Sequence, residues 1–371
     1  MLPKDYSPEL YPSLLKAKID EIWPAFEALG APTPDIFPSP IHSFRMRAEF
    51  RVWHEGDALD FVMFDPTEPK KPIVIEDFPF ASEPIRQLLA PLRAALQIDH
   101  KLRYRLFQIE LLSTLSGDLL ITLIYHRRLD DSWEQAALSL SNNLGVKVVG
   151  RSKGQKVILS EDWVNETLYV NAECYHFKQP EQAFTQPNAS VNQAMLSWAV
   201  KQIPASDTDL LELYCGIGNF TIPLSANYRR VLATEVSKVA TRAAVDNLDL
   251  NGVTNVAFAR LSAEEMTQAL TGTRVFRRLA SLEHALPTYD FDTIFVDPPR
   301  AGLDRATLEL TKGFKNILYI SCNPLTLLDN MADICGTHTI TSVGFFDQFP
   351  YTKHLECGVY FTQRKDNEAA K

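Results

Sequence analysis

The chain has 371 residues, 46% of them hydrophobic and 22% charged, and a formal net charge of −9. Such a balance excludes a disordered chain and suits a globular protein with room for two domains. No run of eighteen apolar residues occurs and MLPKDYSPEL at the start has no apolar leader core, so neither a membrane span nor export is expected.

Residues 8–29 read as a helix, with Ser7 as cap, Pro8 at the first position and Gly30 at the stop. Pro24 is expected to end or kink it early. APTPDIFPSP (31–40), with four prolines in ten residues, reads as an extended linker and a domain boundary. From 41 to 178 the pattern turns to strands: RMRAEFRVWH (45–54), LDFVMFD (59–65), KPIVIED (71–77), LFQIELLST (106–114), LLITLIYH (119–126) and VKVVGRS (146–152). Helical stretches near 82–97 and 130–144 interrupt them, which predicts an α+β domain on an antiparallel sheet. Beyond 179 strands and helices alternate: helix 193–203, strand and Gly-rich turn 209–220, strand 230–236, helix 237–252, and strands 255–261, 291–299 and 316–324. That grammar predicts a doubly wound, mostly parallel α/β sheet, Rossmann-like, for residues 179–371. Two strand-like runs in 341–364 are expected to add a hairpin at the sheet edge.

An acidic chain is a poor partner for phosphate, but the charge is unevenly spread. Residues 41–178 carry 17 Lys+Arg against 19 Asp+Glu, and the cations cluster at Arg45, Arg47 and Arg51, at Lys101, Arg103 and Arg105, at Arg127 and Arg128, and at Arg151, Lys153 and Lys156. A local basic face for RNA and a set of solvated strand faces both fit this pattern. The five cysteines are odd in number, irregularly spaced and without a C-x-x-C pair, so no structural zinc, no iron–sulfur cluster and no disulfide framework is expected. A reducing, cytoplasmic setting fits them best.

Four segments carry chemistry. In ELYCGIGNF (212–220), Gly216 and Gly218 match the first two positions of a dinucleotide fingerprint, and Thr221 fills the third. A tight structural turn fits the same residues, but Glu235, 19 residues after Gly216 at the end of the next strand, is placed to hold ribose hydroxyls. The pair suits a nucleoside cofactor, and the missing third glycine favours S-adenosylmethionine over NAD. In IFVDPPRAGL (294–303), Asp297 ends a strand before two prolines, as either a rigid turn or a group facing the cofactor. In ISCNP (320–324), Cys322 sits at the next strand end, as an inert buried thiol or as a nucleophile at the same rim. In HLECG (354–358), Glu356 lies inside an apolar run, paired in a salt bridge or functional.

Taken with SPIHSFRMRAEFRVWH (39–54), LFQIELLSTLS (106–116), FTQPN (184–188), VDPPRAGLD (296–304) and FDQFPYTKHLECGV (346–359), these segments resemble the uracil-5 RNA methyltransferases over nearly the whole chain, and most of all the bacterial enzymes that act on tRNA. The resemblance implies an S-adenosylmethionine-dependent catalytic domain over 179–371, an RNA-binding domain over 41–178, and an N-terminal helix and linker over 1–40. It implies cofactor contacts from Gln186, Tyr214, Asn219, Glu235 and Asp297, with Cys322 as nucleophile and Glu356 as base. The implied reaction methylates C5 of uridine 54 in the tRNA T loop through a Cys–C6 adduct, with T-loop-like RNAs such as tmRNA as further substrates. No metal and no obligate protein partner is implied. Arg51, Phe107, His126 and Arg300 are candidates for RNA contact, Phe107 being equally suited to the core.

Departures from relatives narrow the target. Related ribosomal-RNA enzymes commonly carry a cysteine cluster and an N-terminal oligonucleotide-binding barrel; here only Cys174 precedes Cys215, and the segment before residue 41 is too short for a barrel. Cytosine-5 enzymes place a cysteine where Arg300 stands. The remaining alternatives are a 23S ribosomal RNA uracil-5 methyltransferase, a nucleotide-dependent oxidoreductase, and a non-catalytic RNA-binding or tRNA-folding module.

Overall fold

The computed structural model describes residues 1–56 and 58–365. In chain order its strands are β1 (Asp35–Phe37), β2 (Arg47–Glu55), β3 (Ala58–Phe64), β4 (Pro72–Val74), β5 (Leu106–Ser113), β6 (Leu119–Tyr125), β7 (Lys147–Ser152), β8 (Gln155–Ile158), β9 (Trp163–Val170) and β10 (Glu173–Pro180). The second half adds β11 (Asp209–Leu213), β12 (Arg230–Thr234), β13 (Val256–Ala259), β14 (Phe291–Val296), β15 (Asn316–Ser321), β16 (His338–Phe346) and β17 (Glu356–Gln363).

The first sheet has the order β4-β3-β2-β5-β6-β7-β8. Its strands alternate: in β2, Ala48, Phe50 and Val52 are buried while Glu49, Arg51 and Trp53 are exposed. The apolar face packs under helices Glu83–Ile98 and Asp131–Leu144 in one core that joins Phe50, Ile109 and Val148 to Leu92, Leu96 and Trp133. The second helix is a crossover, so β7 runs parallel to β6, and the expected all-antiparallel ladder is broken at this one pair. Trp133 demands a glycine beneath it: a Cβ on Gly150 would lie 2.1 Å from its ring. The opposite face is covered at one end, where Leu112, Leu120 and Val149 meet Val164.

The larger sheet has the order β1-β16-β17-β15-β14-β11-β12-β13. From β15 to β13 neighbouring strands are parallel, and their central residues are mostly apolar because both faces are covered. Met195, Trp198 and Leu248, from helices Ala189–Gln202 and Lys238–Asn251, pack on one face. Leu15, Phe26, Met266, Leu308 and Met331 pack on the other. This is the doubly wound arrangement the alternation predicts.

Four details differ from expectation. The terminal hairpin is not at the edge: β17 pairs antiparallel with β15, and β1 pairs parallel with β16 outside it. The segment 31–40 is therefore not all linker. Helix Tyr11–Ala28 passes through Pro24, because that ring faces solvent and water can serve the carbonyl it leaves unpaired. Residues 163–180 form a separate two-stranded sheet whose Leu168, Val170 and Phe177 pack with Met195 and Leu196 of the larger half. Among the described residues no helix is long and apolar enough to cross a membrane.

Candidate active site

Parallel strands end on one rim, and the chemistry-bearing turns follow them there. β11 runs into a turn in which Tyr214, Gly216 and Gly218 all have positive φ, at 64°, 57° and 84°. Glycine adopts this region freely, but a tyrosine held there carries strain of about 1–3 kcal/mol, a mark of a constrained functional turn. Glu235 follows β12 and accepts from the Gly216 amide at 3.1 Å and from the Ser237 amide at 2.7 Å. It thereby links the glycine turn to the start of the next helix while each carboxylate oxygen keeps a second lone pair.

A cleft of about 450 Å³ lies over this turn, lined by Gln186, Tyr214, Gly216, Asn219 and Asp297 together with Phe184, Thr185 and Glu212. Of the five expected cofactor residues, four line it; Glu235 stands at the glycine turn but outside the lining. Asn219 is locked by a reciprocal amide pair with Asn192, each donating to the other at 2.9 Å. The loop carrying Phe184, Thr185 and Gln186 is tied to the first sheet: Arg47 donates to the Glu181 and Ala183 carbonyls at 2.9 and 3.2 Å, and the Met46 amide donates to the Pro187 carbonyl at 2.7 Å.

Glu212 was missed in the sequence. Its Oε2 is buried with no hydrogen-bond partner among the described residues, and burial pushes its carboxyl up to about 8. Asp297 keeps some exposure to the cleft, yet the surrounding protein pushes it up to about 7. An unpartnered buried acid and a second acid on one glycine-turn cleft suit a ligand that brings its own donors and positive charge. The signal for Glu212 was a glutamate inside the apolar run DLLEL.

Cys322 follows β15 and precedes helix Pro324–Ile334, which Asn323 caps by accepting from the Leu325 amide. It lines a second cleft of about 840 Å³ with Arg300, Asn323, Leu325, Lys353 and His354. The Arg300 carbonyl accepts from Asn323 Nδ2 at 2.9 Å and from Thr326 Oγ1 at 3.2 Å, so the turn after Asp297 is tied to the turn holding Cys322. Burial, then the charges of Glu356 and Asp297, raise the Cys322 thiol; Arg300 opposes them.

Glu356 opens β17 and is 2% exposed. Burial and then the Asp297 charge hold its carboxyl well above the usual range, with Arg300 again opposing. The loop before it is anchored from the N-terminal helix. Lys18 forms a buried ion pair with Asp347 at 2.6 Å and donates to the Phe349 and His354 carbonyls at 2.9 and 3.1 Å.

On the open end of the first sheet, Phe107 is half-buried and not core. Arg51 lies 3.5 Å from its ring centre and His126 stacks at 4.0 Å, from the strands on either side of β5. Arg300 is exposed at the rim of the Cys322 cleft, apart from that stack.

The sequence model of the family described as tRNA (Uracil-5-)-methyltransferase matches residues 10–364. The chain is 51% identical over 359 residues to the tRNA/tmRNA (uracil-C(5))-methyltransferase of Pseudomonas entomophila, covering 97% of this chain and 99% of that protein. It is 51% identical over 358 residues to the protein of the same name from Aromatoleum aromaticum, covering 96% of each. In fold it is similar to the Pyrococcus abyssi tRNA (uracil-54, C5)-methyltransferase in complex with S-adenosyl-L-homocysteine, with a TM-score of 0.71 at 19% identity over 95% of this chain and 83% of that one. Matches of this extent decide the family: the chain is a member of the tRNA (uracil-5-)-methyltransferases.

Proposed function

We propose that this protein methylates C5 of uridine 54 in the T loop of tRNA, with S-adenosylmethionine as methyl donor and a covalent Cys322–C6 adduct on the way. The observation that carries this reading is the convergence of Cys322, Glu356, Arg300 and Asp297 beside a glycine-turn cleft. The lining of that cleft fits the donor: Glu212 and Asp297 offer carboxyls to a positively charged ligand, and Glu235 offers lone pairs at the edge. S-adenosylmethionine supplies an electrophilic methyl group on a sulfonium and needs no metal.

Each residue then has a task. Cys322 reacts as the thiolate, the form that Arg300 favours. Its sulfur attacks C6 of the uracil, and the electrons of the C5–C6 double bond pass to O4, so C5 becomes the nucleophile that takes the methyl group. Glu356, ionised, removes the proton left on C5; the sulfur–C6 bond breaks and the double bond returns. Arg300, whose charge acts on both Cys322 and Glu356, stabilises this charge.

The RNA must bring its uridine out of the stack to reach Cys322. Arg51, Phe107 and His126 form a ready platform for an unstacked loop base. In this reading residues 41–178 supply the RNA-binding surface, tmRNA is a further substrate by virtue of a T-loop-like fold, and the working place is the cytoplasm. The test is methyl transfer from labelled donor to a T-arm RNA. Incorporation at C5 of uridine 54, lost when that base is changed to cytidine, supports the reading; transfer to a ribosomal fragment in its place contradicts it.

A further inference from the structure

The stack of Arg51, Phe107 and His126 does not end at its own edge. The next two strand ends carry His126, Arg127, Arg128, Arg151, Ser152 and Lys153, which line an open groove of about 1230 Å³. Among the described residues none lining the groove is acidic, in a chain whose net charge is −9. The cations are differently placed. Arg127 donates to the Tyr104, Arg128 and Lys101 carbonyls at 3.0, 3.0 and 2.5 Å and lies over the Tyr104 and Tyr125 rings. It forms no ion pair among the described residues, and the nearby acid its charge acts on is Asp130. Arg151 is partly engaged by Glu181 at 3.6 Å. Arg128 and Lys153 are exposed, and neither has an acidic partner among the described residues. Tyr104, 48% exposed, lies beside Arg105 and Arg127, so aromatic surface continues along the same edge.

We infer that this groove is a second RNA subsite, taking the sugar–phosphate backbone of the helical stem that follows the loop held at Phe107. This rests on the proposed function for the identity of the RNA but concerns a surface remote from the methyl-transfer residues. From β2 across β5 and β6 to β7 is three strand spacings, about 14 Å. That exceeds the reach of one nucleotide and suits several successive phosphates of a stem. The groove's four cations, with no acid among its described lining residues, fit contact with the sugar–phosphate backbone.

The test measures affinity against salt concentration for the full-length protein and for Arg128→Gln/Lys153→Gln, with a complete tRNA transcript and with an isolated T loop on a two-base-pair stem. Both side chains are exposed, so the variant should fold, and binding of S-adenosylhomocysteine serves as the check. The expected result is a salt slope lower by about 2 and affinity for the complete tRNA roughly tenfold weaker. The short-stem RNA should bind both proteins alike, and turnover at saturating RNA should be unchanged. Equal slopes and affinities for the two proteins on complete tRNA would overturn the subsite. A normal slope difference with no methylation by the wild type would sink the proposed function and leave the subsite standing.

Discussion

Cys322 and Glu356 face each other one step beyond the last pair of the β15–β17 ladder. Ser321 pairs with Cys357 in that antiparallel register, so the next opposed positions are 322 and 356. The strand that carries the thiol and the strand that carries the carboxyl are thus bonded neighbours, and their ends form one floor. A proton on C5 and a sulfur on C6 of one base are adjacent in the same way.

Glu356→Gln should leave the thiol able to attack and the methyl group able to move, but the C5 proton in place. Turnover is expected to fall by about 10²–10⁴-fold. A methylated protein–RNA adduct should build up, visible as a band that survives denaturing gel electrophoresis. A variant that turns over at the normal rate would remove Glu356 from the role of base.

Cys322 and Glu356 both have pKa values raised chiefly by burial, and both must lose a proton to act. The value of kcat/KM should therefore climb from pH 6 toward pH 9, with no fall across neutrality. In the free protein at neutral pH, Asp297, near 7, is about half protonated and Glu212, near 8, is mostly protonated. Uptake of a positively charged ligand beside them favours their ionised forms, so binding should release protons and tighten as pH rises from 6 to 8. Calorimetry in buffers of different ionisation heat reads the release directly; proton uptake would contradict it.

Raised carboxyls also bear on stability. An acid protonated when folded and ionised when unfolded favours unfolding increasingly above its ordinary pKa. For Glu212 that loss runs from about 4.5 up to about 8, so the ligand-free protein should melt lower at pH 8 than at pH 6, with Glu212→Gln removing part of the difference.

Lys18→Met tests the anchor of the loop before Glu356. It leaves Asp347, fully buried, without its cation, and strips donors from the Phe349 and His354 carbonyls. A loss of about 3–5 kcal/mol is expected, read as a lowered denaturation midpoint. The double change Lys18→Met/Asp347→Leu should recover part of it.

Phe107→Ala should weaken RNA binding by about 1–3 kcal/mol while leaving S-adenosylhomocysteine binding intact, because the ring lies in the first sheet and away from the cofactor cleft. Fluorescence titration with both ligands separates the two effects. Loss of both affinities would mark Phe107 as structural.

Much of this was legible in the sequence because strand-end turns announce themselves locally. Gly216, Gly218, Asp297 and Cys322 each follow an apolar run that could only be a buried strand, and parallel strands put their ends together. What pairing decides was not legible. The place of β1 beside β16, the insertion of β17 next to β15, and hence the meeting of Glu356 with Cys322, depend on contacts more than thirty residues apart. Asn192 was also invisible, because its match to Asn219 exists only once the helix lies across the turn. Phe107 read equally well as core, and only the absence of a covering layer over that end of the sheet distinguishes it.

The most direct measurement is intact-protein mass spectrometry after incubation with S-adenosylmethionine and a T-arm RNA carrying 5-fluorouridine at position 54. Fluorine cannot leave as a proton, so the predicted result is a stable protein–RNA adduct whose peptide map ends at Cys322, absent in Cys322→Ser. An adduct on another residue, or methylation of ordinary T-arm RNA at full rate by Cys322→Ser, would contradict covalent catalysis by Cys322.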